Sequence, residues 1–133
     1  MKLLTQLALA WLAFNAQPQD VFDGSHARFT EVLQAHVVVY DEGRRSVVDY
    51  AALHADDVLL QDYLQQLSAV SMSVYREWSA EQQLAFLINA YNAFTLELIV
   101  DNYSEFASGD ADSIRDLGSF FTSPWEREFF TLL

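Results

Sequence analysis

Residues 79–103 read SAEQQLAFLINAYNAFTLELIVDNY, and no glycine or proline breaks them. Ser79 with Gln82 three residues later is a capping box, which satisfies backbone N–H groups that a helix start leaves unpaired. Glu81 adds a negative charge to the first turn, where the helix dipole favours it. Leu84, Leu87, Ile88, Tyr91, Leu98 and Ile99 recur at helical spacing, and Phe86, Ala90, Ala93, Phe94 and Val100 occupy the opposite side. A helix that is apolar nearly all round is buried on most sides. The expectation is a long buried central helix over about 80–103, in a mainly α (α+β) domain where two or three shorter helices pack on it.

Asn89 and Asn92 interrupt this apolar surface three residues apart, so they share a face, and Thr95 continues the row. An unpaired amide in a dry core costs ~1–3 kcal/mol, so buried asparagines need partners. Two readings are open: a structural clamp on neighbouring loop backbone, or the lining of a polar site. Asn89, Tyr91, Asn92 and Arg115 are the candidate residues for either. Asn92, in the middle of the helix, is expected to be buried and bonded to backbone outside its own helix.

Upstream of the helix, Ser25 is placed to cap a helix running to about Val37, with Phe29, Val32, Leu33, His36 and Val37 as its apolar stripe. His36 reads as a core-edge histidine. Val37–Tyr40 and Ser46–Tyr50 are β-prone runs around Asp41-Glu42-Gly43-Arg44, which predicts a small hairpin over about 37–50 with Gly43 at positive φ. Arg44 and Arg45 at its tip read as solvated surface. A helix over about 57–68 would bury Leu60, Tyr63, Leu64 and Leu67. Ser68 to Ser73 reads as loop, and Trp78 is placed to pack just before the Ser79 cap. Downstream, Ser104 to Asp112 reads as a solvated acidic loop, since a lone Asp-x-Asp lacks the ligand count of a calcium site. Asn102-Tyr103-Ser104 fits a glycosylation triplet. Ser113 can cap the short turn that Gly118 ends, and Ser123-Pro124 looks like a helix start.

At its ends the chain is apolar. Lys2 followed by the run Leu3 to Phe14 resembles a secretory signal peptide over residues 1–16, too short for the ~20 residues that span a bilayer. The alternative is an N-terminal core helix or an uncleaved anchor. The expected location is periplasmic or secreted, with no membrane attachment once that segment is removed. Phe129-Phe130-Thr131-Leu132-Leu133 reads like a strand with the rest of its sheet missing, a candidate surface for self-association. The chain is thus expected to hold the N-terminal portion of a single domain over 17–133, truncated there, and to be loosely packed or oligomeric by itself.

The formal charge of −12 and the pI near 4.3 argue against nucleic acid as a partner, which needs a basic footprint, and against anionic lipid. Lys2 is the sole lysine; high acid content with so little lysine suits a soluble protein in a salty medium. With no cysteine, this stretch has no disulfide and no thiolate nucleophile.

His36-Val37 with the run Val48 to Leu53, the stretch Gln83 to Phe94, and Ser113 to Gly118 with Ser123-Pro124-Trp125 and Phe129-Phe130-Thr131 together resemble the family known as domain of unknown function 547. His36-Val37 with Val48-Asp49-Tyr50-Ala51-Ala52-Leu53 is similar to its opening pattern. Gln83-Leu84-Ala85-Phe86-Leu87-Ile88-Asn89-Ala90-Tyr91-Asn92-Ala93-Phe94 is similar to its central helix. Ser113-Ile114-Arg115-Asp116-Leu117-Gly118, Ser123-Pro124-Trp125 and Phe129-Phe130-Thr131 resemble the family's segment downstream of that helix. The resemblance runs from about Phe22 to the end. Leu87 stands where an aromatic is expected, and the acidic stretch Ser104 to Asp112 replaces a short turn with proline. The family's later motifs, an Ile-Glu-His run and a strand with His and Cys, have no counterpart here. The resemblance implies a domain without implying a reaction.

No chemistry-bearing pattern stands out. No serine lies in a Gly-x-Ser-x-Gly setting, His26, His36 and His54 lack metal-ligand spacing, and phosphate loops are missing. No catalytic residue, metal ligand or cofactor is therefore expected. Two readings remain. One is a non-catalytic scaffold or interaction fragment of an exported domain. The other is the front half of a hydrolase- or transferase-like enzyme whose catalytic groups lie beyond residue 133, with Asn89, Tyr91, Asn92 and Arg115 orienting its substrate.

Overall fold

The computed structural model describes residues 22–117. The expected leader over 1–16, the expected stop at Gly118, the expected helix start at Ser123-Pro124 and the apolar run Phe129 to Leu133 lie outside the described residues. Within them the chain is mainly helical: α1 Ala27–His36, β1 Val37–Tyr40, β2 Arg45–Val48, α2 Tyr50–Ala55, α3 Val58–Ser68, α4 Met72–Arg76, α5 Ala80–Asp101 and α6 Tyr103–Ser108. The long helix α5 packs on α2 and α3, and α1 packs on α3.

The start of α1 departs from expectation. Asp23 provides the cap, its carboxylate accepting from the N–H of Ser25 at 2.9 Å and of Ala27 at 3.1 Å, while the Ser25 hydroxyl donates to the same group at 2.8 Å. These bonds, led by the Ser25 hydroxyl, hold the Asp23 carboxyl below its ordinary range. The tight entry puts His26 in the left-handed region, φ 55°, and buries its ring. There His26 Nδ1 meets the Tyr63 hydroxyl at 2.7 Å, a bond that ties the start of α1 to α3. Phe29 stacks on the same Tyr63 ring at 5.0 Å, and Arg28 pairs with Asp62 at 2.8 Å across the same contact. The apolar stripe of α1 is narrower than its spacing predicts. Phe29 and Val32 are buried, Leu33 is exposed, and the partly buried His36 has an Nδ1 without a hydrogen bond among the described residues.

The hairpin pairs Val37 with Val48 and Tyr40 with Arg45, antiparallel. Gly43 has φ 90° as the turn requires, and Asp41 and Glu42 are left-handed as well. Among the described residues the sheet has two strands; Val48 packs against the core cluster, while Val38, Val39 and Val47 stay exposed. Strand β2 stops two residues earlier than expected. Asp49 Oδ1 accepts the Ala52 N–H at 3.0 Å, and the cap turns the chain into α2 instead. The expected loop Ser68 to Ser73 is shorter at both ends: α3 runs through Ser68, and α4, started by Ser71, begins at Met72.

Leu60, Tyr63, Leu64 and Leu67 of α3 are all buried, as their spacing predicts. They form one cluster with Phe29, Val32 and Leu53 and with Phe86, Ala90, Ala93 and Phe94 of α5. Phe86 is ringed by Phe22 and Trp78, each at 5.3 Å between centroids, and by Tyr75 at 5.8 Å. Trp78 thus packs directly before the Ser79 cap. The position that usually completes such a staple is Gln83, whose amide donates to the carbonyls of Tyr75 and Trp78, both at 3.1 Å. The capping box of Ser79 and Gln82 is formed.

The central helix is not buried on most sides. Its buried residues are Phe86, Ala90, Ala93, Phe94, Leu96, Ile99 and Val100. Leu84, Leu87, Ile88 and Tyr91 are 58, 44, 51 and 46% exposed. The helices beside α5 cover one face of its N-terminal half and leave the other open. By length and composition alone, α5 could also cross a bilayer, a property that the core helices of soluble proteins share.

Candidate functional site

The open side of α5 is a stripe. Glu81, Leu84, Ile88 and Tyr91 succeed one another at helical spacing, with Leu87 beside them. Asn92 stands on this open side, exposed, and Asn89 is half-buried; neither side chain is hydrogen-bonded among the described residues. The expected clamp by Asn92 on outside backbone is therefore not present there. Thr95 turns its hydroxyl back onto the Tyr91 carbonyl of its own helix, at 2.7 Å.

Arg115 belongs to a different place. Below α5 the chain folds back to form a cleft of 610 Å³ between α2, the end of α5, α6 and the segment after it. Local chemistry builds it. The Asp49 cap sets Tyr50 at the first position of α2. The Asn102 side chain donates to the Leu98 carbonyl at 2.7 Å, where α5 gives way to α6. That bond engages the amide nitrogen of the glycosylation triplet inside the helix end. The stretch Ser104 to Asp112, expected as a loop, is helical as far as Ser108, and Gly109 with φ 81° closes α6. Both Asp110 and Ala111 then donate to the Glu105 carbonyl, at 2.9 and 3.0 Å. Buried Ala111 anchors the return of the chain. Ser113 starts the short 3₁₀ turn Ile114–Leu117 as predicted, its Oγ accepting the Arg115 N–H at 3.3 Å, and Asp116 accepts the Asp112 N–H at 3.0 Å.

Tyr50, Tyr103, Phe106 and Ile99 make the apolar walls of this cleft, and Asp112, Ser113 and Arg115 its polar edge. His54 stacks on Tyr103 at 4.8 Å, which restricts that ring. Burial raises the Tyr50 phenol above its ordinary value, so it remains a hydrogen-bond donor. The four candidate residues are thus split. Arg115 lines the cleft, whereas Asn89, Tyr91 and Asn92 do not. Tyr50, Tyr103 and Phe106 were not singled out by sequence, since nothing in their spacing says that α2 and α6 meet.

A second, shallower cleft of 420 Å³ involves Gln61, Phe94 and Glu97. Burial, then the neighbouring Asp101, pushes the Glu97 carboxyl up. Among the described residues no three His, Asp or Glu converge as metal ligands, and no serine hydroxyl is hydrogen-bonded to a histidine.

Residues 75–130 match the model of the family described as protein of unknown function, DUF547. The resemblance read from the sequence is thus supported over the central helix and the segment after it. The opening pattern at His36-Val37 and Val48 to Leu53 lies outside the matched stretch. No curated protein and no solved structure gives a match.

Proposed function

We propose that this chain is an exported helical interaction module whose open α5 face docks a basic, amphipathic segment of a partner protein. The observation that carries the reading is the exposed stripe of Leu84, Leu87, Ile88 and Tyr91 on a helix otherwise anchored in the core. Large apolar residues grouped on one face mark contact surfaces, whereas scattered ones are ordinary. The charge of the partner segment is set by the chain. At −12 overall, and with Glu81 at the head of the stripe, the surface favours lysine and arginine around an apolar anchor.

The test is a fluorescent helical peptide with leucines at i, i+3 and i+7 and lysines between them, followed by anisotropy against the full chain. Its glutamate counterpart should bind at least ~10-fold more weakly. The double variant Leu84→Glu/Ile88→Glu should lose binding while its unfolding free energy stays within ~1 kcal/mol of wild type, because both side chains are already exposed. The substitutions add two negative charges, so a peptide held by charge alone would bind the variant more tightly. That outcome would remove the docking role. For the export part, which rests on Lys2 and the Leu3–Phe14 run, mass spectrometry should find a mature N-terminus near Gln17. Full-length protein in the cytosol would contradict it.

A further inference from the structure

We propose that the cleft between α2, α6 and the 3₁₀ turn binds a small aromatic carboxylate, with the ring between Tyr50, Tyr103 and Phe106 and the carboxylate on Arg115. This site is separate from the α5 stripe and does not depend on the docking role. Its 610 Å³ lies within the ~300–1,000 Å³ usual for small-molecule sites, which are mostly apolar with few polar groups at one side. The walls suit a flat ring. Aromatic pairs favour offset or edge-on contact, and stacking on His54 already restrains Tyr103 at 4.8 Å, so less freedom is lost when a ligand enters.

The polar edge selects the other end of the ligand. Arg115 has donors only, and it makes no ion pair among the described residues. Tyr50 and Tyr103 bring phenol hydroxyls. Ser113 Oγ accepts the Arg115 N–H, which leaves its own proton to donate elsewhere. The charged acceptor on the edge is the Asp112 carboxylate. A surface rich in donors favours a ligand rich in acceptors, and a planar guanidinium matches a carboxylate with two parallel bonds. The negative charge of the whole chain does not reverse this. At physiological ionic strength its field falls off within about 8 Å, so the Arg115 contact governs the bound state.

The experiment titrates the full ¹⁵N-labelled chain with 2-naphthoate and, separately, with 2-naphthylmethanol, which has the same ring and no carboxylate. Amide shifts should gather at Tyr50, Ile99, Tyr103, Ser113 and Arg115, and naphthoate should bind about 10-fold more tightly than the alcohol. Arg115→Gln should bring naphthoate down to the level of the alcohol and leave the alcohol unchanged. Ala107→Trp, which fills the cleft from α6, should weaken both ligands. Equal affinity for the two ligands, an Arg115→Gln variant with unchanged naphthoate binding, shifts centred on Leu84 and Ile88, or no saturable shift at all would each overturn the proposal.

Discussion

Phe86→Ala is expected to lower the unfolding free energy by about 3–5 kcal/mol, and Leu87→Ala, one residue along, by less than ~1 kcal/mol. The difference comes from the sides of α5 that the two residues occupy. Phe86 is fully buried and touches the rings of Phe22, Tyr75 and Trp78, whereas Leu87 is 44% exposed. Truncating Phe86 removes the shared centre of three aromatic contacts and leaves a cavity that rings from α4, the N-terminal segment and the chain before the Ser79 cap cannot all move to fill. A loss of about 3–5 kcal/mol is a large part of the ~5–15 kcal/mol by which domains are stable. Urea unfolding followed by near-UV circular dichroism measures it, because Trp78 and Tyr75 report on the same cluster. Equal losses for the two variants would mean that α5 is packed on both faces, as its composition alone suggests.

That contrast marks where the sequence was legible. Ser79 and Gln82 placed the start of α5, and the spacing of Leu60, Tyr63, Leu64 and Leu67 picked out the buried face of α3, because both signals are local. Which side of α5 faces the core was not legible. Leucine, isoleucine and phenylalanine occur on both sides, so hydrophobic periodicity carries no contrast there. The choice is made by partners distant in sequence, such as Phe22 and Leu60. The short helices α2 and α4 were missed for a related reason. Asp49 and Ser71 are good caps, but the segments after them are too brief to show a period. Of the candidate site, Arg115 fell in the larger cleft, while Asn89 and Asn92 sat on a helix whose polar interruptions looked buried only because the whole helix did. The aromatic walls of the cleft come from α2 and α6, some fifty residues apart in sequence, and no local signal joins them.

Acidification should destabilise the chain through His26, and His26→Asn should largely remove the effect. Burial lowers the affinity of His26 for a proton in the folded state, the nearby Asp23 opposing it more weakly. In the unfolded chain the imidazole has its ordinary value near 6.5. Above that pH the ring is neutral in both states, and its contribution to stability is complete. As the pH falls below about 6.5, the unfolded chain takes up a proton that the folded chain resists, so stability declines, at most by ~1.4 kcal/mol per pH unit, until the folded ring is itself protonated. Tyr63, the partner at 2.7 Å, does not titrate in this range, because burial raises its phenol further above neutrality. Glu97 acts with the opposite sign, since its carboxyl is pushed up and acid relieves it. It is present in both proteins, so it cancels in their difference. Asparagine is the informative replacement: it tolerates the left-handed backbone at φ 55°, and its amide oxygen can take the place of Nδ1 beside the Tyr63 hydroxyl without titrating. Urea midpoints between about pH 7 and 5 should therefore fall more steeply for wild type than for His26→Asn. Parallel profiles would show that the His26 ring is solvated when folded, and that its bond to Tyr63 does not hold α1 on α3 in the way the geometry indicates.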